Sequence, residues 1–121
     1  MKFVLLTDDS DLVAAASAGF HPSDSFETHA DAGAALEACA GADLLFVDLL
    51  ATLDEPHKIA GYERFAEQKM GHEVAKDVPV VLIAPPDDYE LDFMAGWPDF
   101  VFAHIRRPVT EKIFRRASTW V

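Results

Sequence analysis

The sequence predicts a single α/β domain built on a doubly wound, mostly parallel β-sheet. Three observations carry this expectation. Short runs that are apolar on both faces, such as Leu44-Leu45-Phe46-Val47 and Val80-Val81-Leu82-Ile83, suit strands covered on both sides by helices. These runs alternate with segments of helical periodicity, the order of βαβ units. A length of 121 residues, half of them hydrophobic, suits one compact core and argues against a disordered chain.

Lys2 to Thr7 is an apolar run that reads as the first strand, meeting two acids at Asp8 and Asp9. Asp11 to Gly19 carries Leu12, Val13, Ala15 and Ala16 at helical spacing, with Gly19 as its stop. Ser25 to His29 is assigned as a short second strand. Asp31 is an N-cap for a helix over Ala32 to Ala40, which Gly41 closes. Asp43 to Asp48 is the third strand and again ends in an acid. Residues 49–60 form a longer, mixed connection containing Pro56, and Tyr62 to Met70 is a helix stopped by Gly71. Val78 to Ala84 is the fourth strand, closed by Pro85-Pro86. Asp87 caps a short helix through Ala95, which Gly96-Trp97-Pro98 breaks. Phe100 to Ile105 is the last strand. Val109 to Trp120 is the last helix, with Val109, Ile113, Ala117 and Trp120 along one stripe. Right-handed crossovers between five such units leave few topologies, and the flavodoxin-like order 2-1-3-4-5 is expected, over residues 1–121 as one domain.

Charge narrows the function classes. The 21 acids and 10 bases give a net charge of -11, the wrong sign for a nonspecific nucleic-acid binder. Five bases between Arg106 and Arg116 against Glu111 alone give the last 16 residues a local +4, leaving -15 on residues 1–105. Bases at a helix C-terminus complement its dipole, and a basic contact surface on an acidic body is the alternative reading. Cys39 is the single cysteine, so no internal disulfide forms; it reads as a buried structural thiol in Ala38-Cys39-Ala40. His21, His29, His57, His72 and His104 never take the i, i+4 spacing of a zinc helix. No apolar segment is long enough to span a bilayer, and Asp8 and Asp9 come too early for a signal peptide. A cytoplasmic protein without a membrane partner is expected.

Sites in open α/β sheets form beyond the C-terminal strand ends, near the switch in strand order. Asp8 and Asp9 end strand one there, and Asp48 ends the neighbouring strand three. Three converging carboxylates repel one another, and a hard divalent cation such as Mg²⁺ relieves the repulsion. Each acid also has a structural reading: Asp9 as a helix cap, Asp48 as a strand-end acid bonded to loop amides.

At this point the sequence resembles the receiver domain of two-component response regulators, the CheY-like fold, over its whole length. The resemblance rests on Leu5-Leu6-Thr7-Asp8-Asp9, Leu44-Leu45-Phe46-Val47-Asp48, Pro79-Val80-Val81-Leu82-Ile83-Ala84 and Arg107-Pro108. It implies Mg²⁺ bound by Asp8, Asp9, Asp48 and the backbone carbonyl of Leu50, with Asp48 as phosphoacceptor. It also implies a sensor histidine kinase or phosphotransfer protein as partner. Contacts through the face made by the short fourth helix, strand five and the last helix, a homodimer among them, are likewise family habits. Trp97, Phe100, Phe102 and the bases of the last helix lie in or near that face.

The departures are as informative. Ala84 stands where the family has a Ser or Thr hydroxyl that bonds the phosphoryl group, so coupling of phosphate to a switch is expected to be weak or absent. Arg107 stands where the family has lysine, and its planar fork needs more room than an ammonium. The sequence leaves open whether Arg106 or Arg107 faces the pocket. His104 occupies the family's aromatic switch position. The connection from Leu49 to Gly61 is longer than the family's, and Asp54, Glu55, His57 and Lys58 on it read either as a solvated surface excursion or as a lid beside the acid pocket. Two functions remain: a phosphoryl-accepting receiver, whose only enzymatic activity is its own phosphorylation and dephosphorylation, or an atypical receiver acting as a phosphorylation-independent interaction module. An Asp-x-Asp phosphatase fails because Leu12-Val13 replaces Gly-Thr, and a flavin binder fails because residues 8–12 contain no glycine.

Overall fold

A computed structural model describes residues 1–56, 58–86 and 101–121. His57 and the helix expected over 87–95, with Trp97 and Phe100, lie outside these residues. In chain order the elements are β1 (Lys2–Leu6), α1 (Ser10–Gly19), β2 (Ser25–His29), α2 (Ala32–Glu37), β3 (Leu44–Asp48), α3 (Leu49–Thr52), α4 (Ala60–Met70), β4 (Val80–Ala84), β5 (Val101–Arg106) and α5 (Glu111–Ala117). All five strands pair in parallel, in the order β2-β1-β3-β4-β5, as the sequence predicts.

The residues of β1, β3 and β4 divide strictly by parity, because successive side chains leave a strand on opposite faces. Phe3, Leu5, Leu44, Phe46, Val81 and Ile83 pack with Leu12 and Ala16 of α1 and Phe114 and Ala117 of α5. Val4, Leu6, Leu45, Val47, Val80 and Leu82 pack on the other side with Leu36 of α2 and Tyr62 and Phe65 of α4. This explains why β1, β3 and β4 read as unbroken apolar runs: neither face reaches water. The α1/α5 layer is aromatic, with the Phe20 ring 4.7 Å from Phe3 and 5.6 Å from Phe114. Gly19 permits it. A Cβ there would lie 2.5 Å from the Glu111 carbonyl and 2.9 Å from the Phe114 Cβ.

Several boundaries differ from expectation for local reasons. The helix begun at Ala32 ends at Glu37, and Gly41, at φ 72°, completes the turn into β3. The last helix is shorter than the predicted Val109–Trp120, since Thr110 is extended (φ -98°, ψ 169°) as its N-cap and Ser118 is its C-cap. A short helix, α3, begins directly at Leu49, capped by the Asp48 carboxylate, within the connection expected to be irregular.

Candidate functional site

The pocket is built by parity and register. Leu6 pairs with Val47, so the next residues, Thr7 and Asp48, stand side by side at adjacent strand ends. Both share the parity of the aromatic layer, and both are buried. The Thr7 hydroxyl donates to Asp48 Oδ2 at 2.7 Å. The Thr7 amide bonds the His29 carbonyl at 2.9 Å, extending the β1–β2 ladder and fixing Thr7 in place.

Arg107 arrives from the far edge of the sheet. Its amide donates to the Ala84 carbonyl at 2.9 Å, carrying the β4–β5 ladder one residue past β5. Ile105 packs on the α1/α5 layer, and Arg107, two residues on, shares its side. Nη1 donates to Asp9 Oδ2 at 2.7 Å and Nη2 to Asp48 Oδ2 at 2.7 Å. Arg106 has the opposite parity and donates instead to the carbonyls of Pro85 and Pro86, at 2.9 and 3.1 Å. The choice left open by the sequence is therefore resolved in favour of Arg107. Its Nε is buried without a hydrogen-bond partner, so the two terminal nitrogens carry the hold on the pocket.

Asp48 is fully buried, at 0% exposure, while the Arg107 and Asp9 side chains retain 18% and 30%. Burial pushes the Asp48 carboxyl above the ordinary range, and the Thr7 hydroxyl, the Arg107 charge and the Leu50 amide pull it partly back. The Leu50 amide reaches Asp48 Oδ1 at 3.3 Å. Asp9 is held below its ordinary value, chiefly by the Arg107 hydrogen bond and then by the Asp11 amide. Asp9 is also the N-cap of α1, with Oδ1 accepting from Asp11 N at 2.8 Å, which is the structural reading the sequence offered for it. Burial alone would lower the Arg107 pKa; its two carboxylate partners outweigh this and raise it.

The four groups expected to bind Mg²⁺ are not brought together. Asp8 is exposed, on the opposite parity from Thr7. The Leu50 carbonyl accepts the Leu53 amide at 3.4 Å within α3. Asp9 and Asp48 do converge, but with Arg107 bridging them. Among the described residues no three His, Cys, Asp or Glu side chains are grouped to hold a metal ion. As arranged, the residues do not fit a divalent cation.

The remaining expected positions lie around this pocket. Ala84 is buried at the end of β4, and Ile83 is the register partner of Asp48. His104 is exposed on β5, between exposed Phe102 and Arg106 on the same face. Thr7 is the residue that sequence reasoning missed. Its signal was position, a hydroxyl immediately before the acid pair, with the strand parity of Phe3 and Leu5.

No protein-family model matches the sequence, and no match was found among curated proteins. Solved structures do match in shape. The chemotaxis response regulator CheY4 of Vibrio cholerae superposes with a TM-score of 0.70 at 15% identity, over 97% of this chain and 94% of that one. The phosphorylated cyanobacterial phytochrome response regulator RcpA gives 0.62 at 18% identity, over 95% and 86%. The N-terminal domain of a response regulator receiver protein from Methanoculleus marisnigri gives 0.57 at 19% identity, over 97% and 92%. With its strand order and its polar residues at the ends of β1 and β3, this chain has the fold of response-regulator receiver domains.

Proposed function

We propose that this chain is a receiver-type signalling module that works through protein contact, with Asp48 locked in an internal ion pair. The observation that carries the reading is the state of Asp48. It has no exposed surface, one oxygen is shared by Thr7 and Arg107, and the other accepts the Leu50 amide. A phosphoacceptor must bring a free carboxylate lone pair into line with the leaving group, which burial and three donors oppose. Ala84 offers no hydroxyl to receive a phosphoryl oxygen.

The contact surface in this reading is the β5/α5 face. A groove of about 530 Å³ is lined there by Ile105, Arg106, Lys112, Ile113, Arg116 and Trp120, among others. Its three cations on a chain of net charge -11 fit an acidic protein segment. No helix among the described residues is long and apolar enough to cross a membrane, and we assign the module to the cytoplasm as one domain over residues 1–121.

A second reading keeps Asp48 as a phosphoacceptor supplied by a histidine kinase or phosphotransfer protein. It is favoured by the position of Asp48 at the C-terminal end of β3, beside β1. It requires Arg107 to leave Asp48 before any donor reaches the carboxylate.

Intact mass after incubation with acetyl phosphate and Mg²⁺, with Asp48→Asn alongside, separates the two. The locked module predicts no adduct under conditions that label an ordinary receiver. One added phosphoryl group, absent from Asp48→Asn, would overturn it in favour of the second reading.

A further inference from the structure

We propose that the Arg107 guanidinium is a built-in counter-cation standing where a divalent ion would neutralise Asp9 and Asp48, so that this pocket is complete without metal. The inference rests on the locked-module reading, since both depend on the Arg107 bridge, and its readout is metal affinity rather than a phosphoryl adduct.

Every group that would serve a cation is already committed or turned away. Asp9 and Asp48 each give one oxygen to Arg107, both at 2.7 Å. The Leu50 carbonyl closes α3, and Asp8 faces solvent. A guanidinium satisfies two carboxylates through directed N–H donors, whereas Mg²⁺ demands a near-octahedral shell of oxygens. With the guanidinium lying between Asp9 and Asp48, the space where one ion would bridge the two is already filled by positive charge. The backbone delivers the guanidinium rather than leaving it to chance. The Arg107 amide is tied to Ala84, Asp9 is fixed by its capping bond to Asp11, and Thr7 orients Asp48. Lysine in the same place would offer one compact ammonium, a point charge without the two separate terminal nitrogens that here reach Asp9 and Asp48. The arginine is thus the residue type that makes a metal dispensable here.

Metal and Arg107 then compete for one place, and removing the guanidinium opens it. The experiment is a Mn²⁺ titration followed by electron paramagnetic resonance, on the full chain and on folded variants. In the wild type, Mn²⁺ binding is expected to be weak and unchanged by Asp9→Asn, reflecting only the acidic surface. In Arg107→Ala it is expected to tighten by at least about tenfold, because two carboxylates are left facing each other uncompensated. The gain should vanish in Arg107→Ala/Asp9→Asn. Arg107→Met, which retains most of the packed stem, stands in if the alanine variant does not fold. Wild-type binding that depends on Asp9 would overturn the proposal, as would a folded Arg107 variant that gains no Mn²⁺ affinity. Should neither Arg107 variant fold, the wild type against Asp9→Asn still decides.

Discussion

Among the described residues, two side chains of the charged types are buried to 0% exposure, Asp48 at the end of β3 and Lys69 in the last turn of α4, and they are accommodated differently. Asp48 receives a hydroxyl, a backbone amide and a full opposite charge, delivered by β1, α3 and the residue after β5. Lys69 lies on the buried stripe of α4 with Tyr62, Phe65 and Ala66 and donates to the Lys76 carbonyl at 3.3 Å. Burial lowers its pKa, with the nearby Cys39 and Asp77 pulling the other way, and burial likewise pushes the Cys39 thiol up to about 11. Lys69 thereby fastens the connection between α4 and β4 over the core. Burial of a charge alone does not mark a site. Convergence of complementary groups from separate strand ends does, as at Asp48.

The largest effect expected from breaking this contrast is at the pocket. Arg107→Ala leaves Asp48 in place without its cation. Stability in urea at pH 7 should fall by about 3 kcal/mol, the low end for a buried pair, because Arg107 keeps 18% exposure. A loss comparable to an exposed ion pair, below about 1 kcal/mol, would mean that the guanidinium does not hold the pocket.

A smaller effect sharpens the other half. Lys69→Met removes a buried ammonium but keeps an apolar stem of similar length, so stability at pH 7 should change by less than about 1 kcal/mol. The two proteins should diverge with pH. The Lys69 pKa is lowered in the fold from its ordinary 10.5, so between the two values the unfolded chain binds more protons. Stability contributed by this group therefore rises as pH rises through that window, and Lys69→Met should lack the rise. The Cys39 thiol opposes it between 9.0 and about 11, losing stability as pH rises, and is present in both proteins. Urea midpoints for the pair from pH 7 to pH 10 read the difference, and parallel curves would contradict it.

Much of the fold was legible because its signals are local. Runs apolar on both faces marked β1, β3 and β4; Asp31 and Gly41 bracketed α2; and β2 falls on Ser25–His29 as read. The starts of α3 and α5 were not legible, since Asp48 ends β3 and caps α3 at once and Thr110 begins α5 without a side-chain capping bond. The site was half legible. Asp9 and Asp48 could be placed from strand ends, but what neutralises them comes from Arg107, 98 and 59 residues away in sequence. Counting carboxylates pointed to a metal, and the positive charge that bridges Asp9 and Asp48 in the structure is that of Arg107. Thr7 and the choice between Arg106 and Arg107 depend on register. Strands apolar on both faces hide which parity faces α1 and α5 until the sheet is assembled.

The most direct test of the account is the coupling free energy between Arg107 and Asp48. It is measured by urea unfolding of the wild type, Arg107→Ala, Asp48→Ala and the double variant, in chelator at pH 7. A guanidinium that balances a buried carboxylate predicts a favourable coupling of about 2 kcal/mol or more. A coupling below about 0.5 kcal/mol, with the two losses simply additive, would contradict it.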